Sequence, residues 1–118
     1  RRVDPLFPEA DGKWEFLGGT VQFGESVGVA AVRECMEEVG CKVQIERLLP
    51  QIQTRVWVST QNEQSQVFVV CFETKLIEGE PRPLDKKVSE VQWVKKEDIF
   101  QLDLLPGIEE FINLTNNV

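Results

Sequence analysis

Apolar and polar residues recur with a helical period between Glu25 and Gly40, and with a period of two in several shorter runs elsewhere. The helical stretch predicts an amphipathic helix, because apolar side chains three and four positions apart share one face. Ser26 suits the N-cap, since its hydroxyl can accept from a free amide of the first turn, and Gly40 is typical of a helix stop. The predicted core side of this helix consists of Val29, Val32, Met36 and Val39.

The alternating runs predict a set of short strands around that helix. Strands are predicted at residues 14–17, 20–23, 42–49, 51–59, 66–76 and 88–94, and short helices at 95–99 and 107–114. In the fourth of these strands, Ile52, Val56 and Val58 form the expected inward face. The run at 66–76 is the most apolar of the chain, which indicates a central strand, and Trp93 is expected in the core.

Size, charge and cysteine content indicate the number of domains and exclude some kinds of binding partner. A chain of 118 residues, 42% of them apolar, predicts one domain, residues 1–118, around a modest core. The formal net charge of −7 and a pI near 4.6 argue against binding to nucleic acid backbones, which needs clustered Lys and Arg. Three cysteines without metal-ligand spacing favour free thiols in a reducing compartment. No signal peptide or bilayer-spanning run is evident, so we expect a cytoplasmic protein with no membrane partner.

One face of the predicted helix carries a cluster of carboxylates. At about 100° per residue, Glu34, Glu37 and Glu38 fall within an arc of roughly 100°. Arg33 lies four residues before Glu37 and can pair with it, but one guanidinium cannot neutralise these three and Glu25 together. A hard divalent cation would offset the repulsion, since Mg²⁺ prefers oxygen ligands and is usually held by carboxylates together with substrate phosphates. The alternative is an ordinary solvated acidic face.

These residues belong to a longer pattern of fixed spacing. It reads Gly19, five residues, Glu25, seven residues, Arg33-Glu34-Cys35, one residue, Glu37-Glu38, one residue, Gly40-Cys41. The pattern resembles the complete signature box of the Nudix hydrolases, enzymes that split a nucleoside diphosphate linked to another moiety. Cys35 and Cys41 stand where the family usually has larger aliphatic residues, and Leu17 replaces a common proline. Cysteine behaves as a small hydrophobe when buried, so its use here is a conservative departure.

The resemblance implies a fold. It is an α/β protein of the α+β type, a Nudix-like α/β/α sandwich with a mixed central sheet, the catalytic helix on one face and a C-terminal helix. The chain begins at Arg1 without a methionine, at the point where relatives would be finishing a long first strand. We therefore expect that the first strand is missing from this sequence.

The resemblance also implies the residues of a site. The expected metal ligands are the Gly18 carbonyl, Glu34, Glu37, Glu38 and Glu25. The expected catalytic residues are Glu34 as general base, Glu37, and Arg33 as the residue that orients Glu37. The expected substrate-binding residues are Arg2, Gly19, Trp57 and Asp85. Arg2 would contact phosphate unless it is simply solvated, and the loop carboxylates Asp85 and Glu90 are alternatives to Glu34 as the base. Lys86 and Lys87 occupy positions where relatives often carry acids.

The activity implied is Mg²⁺-dependent hydrolysis of a phosphoanhydride bond, with Mn²⁺ as a substitute, and a nucleoside triphosphate is the favoured substrate. Hydrolysis of ADP-ribose, a nucleotide sugar or a dinucleotide polyphosphate would use the same residues. A noncatalytic nucleotide-binding module would keep them without turnover. The expected partner is a nucleotide-type small molecule, and the expected assembly is a monomer or homodimer. Trp57, Phe7 and Phe68 are candidates for stacking on a base, against the alternative that they belong to the core.

Overall fold

The computed structural model describes residues 1–115, which form an α+β structure, as expected. In chain order its elements are α1 Val27–Val39, β1 Lys42–Leu48, β2 Gln53–Val58, β3 Gln64–Val69, β4 Phe72–Glu78, a 3₁₀ helix Lys96–Gln101, and α2 Ile108–Asn113. The ends predicted for α1 are confirmed. The Ser26 hydroxyl accepts from the Val29 amide at 3.3 Å, and Gly40 ends the helix with φ of 75°, a left-handed value that glycine adopts without strain.

The strands pair in two antiparallel two-stranded ladders. β1 pairs with β4, and β2 pairs with β3, so residues 1–115 contain two separate two-stranded sheets. Within residues 1–115 the strands form these two ladders rather than one continuous mixed sheet, while the α+β class is as expected. The predicted strand at 66–76 is divided at Val70 and Cys71, and its two halves, β3 and β4, pair with different strands. At the division the Cys71 carbonyl accepts from the Leu49 amide.

Three other predicted strands, 14–17, 20–23 and 88–94, do not form regular ladders in the described residues. Isolated bridges occur in two of them: Trp14 pairs with Leu104, and Val88 pairs with Arg2. These bridges hold the first fifteen residues against the segments that follow β4. The N-terminal segment is thereby brought beside the loop that precedes α1.

The buried residues form two small clusters. One contains Ala10, Leu105, Ile108 and Ile112, with Phe7 and Trp57 packed against it, and the other contains Cys35, Val39 and Cys41. On α1 the buried residues are Ala30, Cys35 and Val39. Of the predicted core side, Val39 is confirmed, but Val29 is 59% exposed and Met36 is also exposed. The face of α1 that contains Gly28 lies against β1. A Cβ added at Gly28 would lie only 3.1 Å from Ile45 Cδ1, so glycine permits this close approach.

The inward face of β2 is the opposite of the predicted one. Ile52, Val56 and Val58 are exposed, whereas Gln53, Arg55 and Trp57 face α2. Gln53 Nε2 donates to the Gly107 carbonyl at 2.9 Å, and Arg55 Nε donates to the Pro106 carbonyl at 3.0 Å. These bonds satisfy carbonyls at the start of α2 and outweigh the preference of the apolar side chains for that face. Trp93, also predicted as core, is 72% exposed.

Candidate active site

A tight turn positions the start of the acidic helix. The Gln22 amide donates to Glu25 Oε1 at 3.1 Å, and the Glu25 amide donates to the Gln22 carbonyl at 3.0 Å. Gly24 lies between them with φ of 81°, a value that disfavours a residue with a side chain. The turn delivers the chain to the Ser26 cap and holds the Glu25 carboxylate against the first turns of α1.

Arg33 is the centre of the carboxylate cluster. Its Nε and Nη2 donate to the two oxygens of Glu25 at 2.7 and 3.0 Å, and its Nη1 donates to Glu34 Oε1 at 2.9 Å and Glu37 Oε2 at 3.0 Å. Nη2 also donates to the Thr20 carbonyl. The bond from Arg33 lowers the pKa of Glu25 and, with the bonds to the other two acids, raises the pKa of Arg33. One cation therefore serves three carboxylates, which leaves the cluster electronegative.

Gly19 lies directly against the Glu34 carboxylate. A Cβ built at Gly19 would lie 2.3 Å from Glu34 Cδ, whereas a Cβ at the neighbouring Gly18 would meet no atom within 4 Å. The two glycines therefore have different surroundings. Gly19 is needed for a close approach of the backbone to Glu34, and the Gly18 amide instead donates a long bond of 3.4 Å to Glu38 Oε2.

Glu38 is the half-buried member of the cluster. Burial raises the pKa of Glu38 to about 7, and the nearby charges of Glu34, Glu15 and Asp85 act in the same direction. A carboxyl with this pKa binds and releases a proton near neutral pH. The charge of Asp85, a predicted substrate-binding residue, is thus felt at Glu38. Glu90, the other loop carboxylate considered, instead pairs with the Arg1 side chain at 3.5 Å.

The donor set of this cluster fits a hard divalent cation, because it offers carboxylate oxygens from Glu25, Glu34, Glu37 and Glu38 beside a glycine bend. It is not a preformed cage. Within residues 1–115, no three His, Cys, Asp or Glu side chains already converge as a set that would enclose a metal ion. The reason is visible in the bonds of Arg33, whose guanidinium takes the oxygens of three of the four glutamates. A cation would compete with Arg33 for those oxygens.

Two predicted substrate residues, Arg2 and Trp57, lie together in a second group. Arg2 donates through Nε and Nη2 to Asp4 Oδ2 at 2.9 and 2.6 Å, and through Nη1 to Glu15 Oε2 at 3.3 Å. The Arg2 guanidinium carbon lies 5.9 Å from the centre of the Trp57 ring, and the Phe7 ring meets Trp57 edge-on with centroids 6.4 Å apart.

Asp4 and Glu15 were missed by sequence reasoning. The available signal was Glu15 itself, a single acid inside the apolar run from Trp14 to Leu17. Burial raises the pKa of Glu15, while the charge of Arg2 opposes this shift. The charge of Glu15 also contributes to the raised pKa of Glu38.

No helix in the described part of the chain has both the length and the apolar character needed to span a bilayer.

Comparison with known proteins identifies the family of this chain. The model of the NUDIX domain matches residues 1–114. Proteins named nucleoside triphosphatase NudI, from Escherichia coli O139:H28 (strain E24377A / ETEC), Shigella sonnei (strain Ss046) and Shigella flexneri, are each 27% identical over 104 residues, covering 84% of this chain and 71% of the relative. With the family model matching nearly the whole chain, this protein belongs to the Nudix hydrolase family.

Proposed function

We propose that this protein hydrolyses a phosphoanhydride bond in a nucleoside diphosphate derivative, with a nucleoside triphosphate as the first candidate substrate. The observation that carries the proposal is the acidic face of α1 beside the two glycines. Glu34 lies against Gly19, and Glu38 accepts a hydrogen bond from the Gly18 amide. The name of the relatives, nucleoside triphosphatase NudI, supports the choice of substrate. At 27% identity the name supports the class of substrate, a nucleoside triphosphate, and does not identify its nucleobase.

Glu34, Glu37, Glu38 and the Gly18 carbonyl would hold Mg²⁺, or Mn²⁺ in its place, with Glu25 as an outer contact. Such an ion supplies neutralisation of the phosphate charge and eases deprotonation of the attacking water. Oxygen donors are the type that both ions prefer. Glu38 would bind the ion more tightly as the pH rises through neutral, because a proton competes for its oxygens.

The residues of the chain then have separate roles. Glu34 takes the proton of the attacking water, since its carboxylate lies directly against the glycine bend at Gly19. Arg33 holds Glu37 and Glu25 in place through its fork of donors and limits the mutual repulsion of the cluster. Asp85 remains the alternative base, since its charge is felt at Glu38. Gly19 has no side chain, so the substrate can approach its backbone closely.

Other assignments of the same site differ in the substrate or in whether it is cleaved. ADP-ribose, a nucleotide sugar or a dinucleotide polyphosphate would present the same diphosphate to α1. A noncatalytic module would bind nucleotide without cleaving it. We further propose a single domain that acts as a monomer or homodimer in the cytoplasm, in keeping with its free cysteines.

The experiment that tests the proposed function is a substrate panel with Mg²⁺, read by the identity of the products. Release of pyrophosphate or phosphate from nucleoside triphosphates supports the first candidate. Cleavage confined to ADP-ribose or a nucleotide sugar would replace it with one of the alternatives. Nucleotide binding without any product, across the panel and with either Mg²⁺ or Mn²⁺, would contradict hydrolysis.

A further inference from the structure

A groove of about 790 Å³ lies between α1 and β1 and is here named the α1–β1 groove. Its apolar lining consists of Val29 and Val32 from α1, Val43 and Ile45 from β1, and Ile77 from β4. Val29 is 59% exposed and Ile77 is 46% exposed, so these apolar walls face solvent. The volume lies within the range of roughly 300–1,000 Å³ that is typical of small-molecule sites.

The groove lies on a different side of α1 from the carboxylates of the candidate active site. At about 100° per residue, Val32 projects roughly 160° away from Glu34, and Val29 projects roughly 180° away from Glu38. A ligand in the groove would therefore leave the acidic face of α1 free. Such a ligand is additional to the proposed nucleotide substrate and does not depend on it.

The polar part of the groove is positively charged. Among the described residues that line it none is acidic, and the polar ones are Ser26, Arg33, Lys42 and Gln44. The Arg33 guanidinium already pairs with three glutamates outside the groove. Lys42 is exposed and, within residues 1–115, forms no ion pair, not even with Glu78, its partner in the β1–β4 ladder. The groove thus offers one positive charge that no carboxylate of the described chain neutralises.

These two properties define the class of ligand. An apolar body would remove the valine and isoleucine walls from water, which is favourable in proportion to the apolar area covered. One anionic group would match the single available charge of Lys42. A polyphosphate would carry several charges to one lysine on a molecule of net charge −7, and it would gain nothing from the apolar walls.

We propose that the α1–β1 groove binds a small molecule with an apolar body and one anionic group. The body lies against the walls formed by α1 and β1, and the anionic group pairs with Lys42. A straight-chain carboxylate has this chemistry in its simplest form, and octanoate is therefore the probe for both tests.

The first test titrates the protein with sodium octanoate in EDTA, without nucleotide, and follows the backbone amides by ¹H–¹⁵N NMR. Saturable shifts should be concentrated at residues 28–33 and 42–45. Val29→Gln should weaken binding about fivefold, because a polar side chain replaces part of the apolar wall. Since Val29 is mostly exposed, this variant should remain folded, which the dispersion of the same spectra checks.

Val56→Gln is the matched control, since Val56 is 62% exposed and lies on β2, outside the groove. This variant should bind octanoate as tightly as the parent does. Octanoate shifts that are spread over the exposed apolar residues of both sheets would overturn the proposal. Equal affinities of Val29→Gln and Val56→Gln would also overturn it.

The second test separates the charge of Lys42 from the apolar contact by comparing octanoate with the neutral 1-octanol. Lys42→Gln should weaken octanoate binding about threefold, in the range expected for one exposed ion pair, and should leave 1-octanol binding unchanged. Lys86→Gln, an exposed loop change, should alter neither. An equal effect of Lys42→Gln on both ligands, or no effect on octanoate, would contradict the pairing with Lys42.

A second copy of the chain is the alternative occupant of the groove. Size-exclusion chromatography with light scattering measures the mass of the parent and of Val29→Gln without octanoate. The proposal expects the same mass for both. A dimeric parent that binds no octanoate and becomes monomeric in Val29→Gln would assign the groove to a second copy and overturn the ligand site.

Discussion

Glu38 differs from the other glutamates of α1 in having no bond to Arg33 and in being half-buried against Gly18. Its raised pKa means that part of the population is protonated near neutral pH when no cation is present. A bound cation would reverse this, since it favours the charged form. Arg33 performs the corresponding task for Glu25, Glu34 and Glu37. Repulsion within the cluster is thus limited in two ways. Burial favours the protonated form of Glu38, and the Arg33 cation pairs with the other three carboxylates.

The first prediction concerns stability and pH in the absence of metal. Glu38 holds its proton up to about pH 7 when folded, but only to about 4.5 when unfolded. Folding stability therefore falls as the pH rises from 4.5 to 7, because the unfolded chain then binds fewer protons than the folded one. Glu38→Gln should match the parent near pH 4 and be more stable near pH 8 by about 1–2 kcal/mol, after allowance for solvent screening.

Urea unfolding in EDTA at those two pH values measures this difference. Glu80→Gln serves as the control and should show no pH-dependent difference from the parent. A constant difference between Glu38→Gln and the parent at both pH values would mean that Glu38 does not titrate with a raised pKa.

The second prediction compares the two adjacent glycines. Gly19→Ala places a methyl group where the Glu34 carboxylate now lies, so Glu34 must move. A displacement of about 1 Å at a reacting group lowers kcat/KM on the order of 10²-fold. Gly18→Ala adds the same methyl group in open space and should change kcat/KM far less. Steady-state hydrolysis kinetics of both variants measure this, and equal losses would argue against a specific contact between Gly19 and Glu34.

At the scale of elements, α1 was the most predictable part of the chain. Its start and end follow from local chemistry, the Ser26 hydroxyl and the left-handed Gly40, which act through neighbouring residues alone. Its buried face was harder to predict, because the contact at Gly28 depends on a strand that lies further along the chain. The prediction that failed most clearly is the inward face of β2. Gln53 and Arg55 bond to carbonyls some fifty residues away, and no alternation within β2 contains that information.

The third prediction concerns the N-cap of α1. Ser26→Ala removes the acceptor for the Val29 amide and should lower the free energy of unfolding by about 1 kcal/mol. Ser65→Ala, on the exposed strand β3, is the control and should have little effect. Urea denaturation compares the two. A Ser26→Ala variant as stable as Ser65→Ala would show that the cap contributes nothing measurable.

At the scale of the whole molecule, the candidate site depends on contacts between distant segments. The spacing of the signature predicted which residues of α1 come together, since a single helix sets their geometry. It did not predict that Arg2 contacts Glu15 and Trp57, because these residues come from separate segments of the chain. The net charge of −7 gives the molecule an overall repulsion for free polyphosphates, so a divalent ion that accompanied the substrate would have an electrostatic as well as a chemical role.

The most direct test of the proposed function is the rate of nucleoside triphosphate hydrolysis at saturating Mg²⁺ in the parent, Glu38→Gln and Glu80→Gln. Glu38→Gln keeps the volume of the side chain and removes its charge, and the stability argument above predicts that it remains folded. Its rate should fall by about 10²- to 10³-fold, the range for loss of one electrostatic contact in an active site, while Glu80→Gln retains the parent rate. Hydrolysis by Glu38→Gln at the rate of the parent would contradict a catalytic ion held by α1.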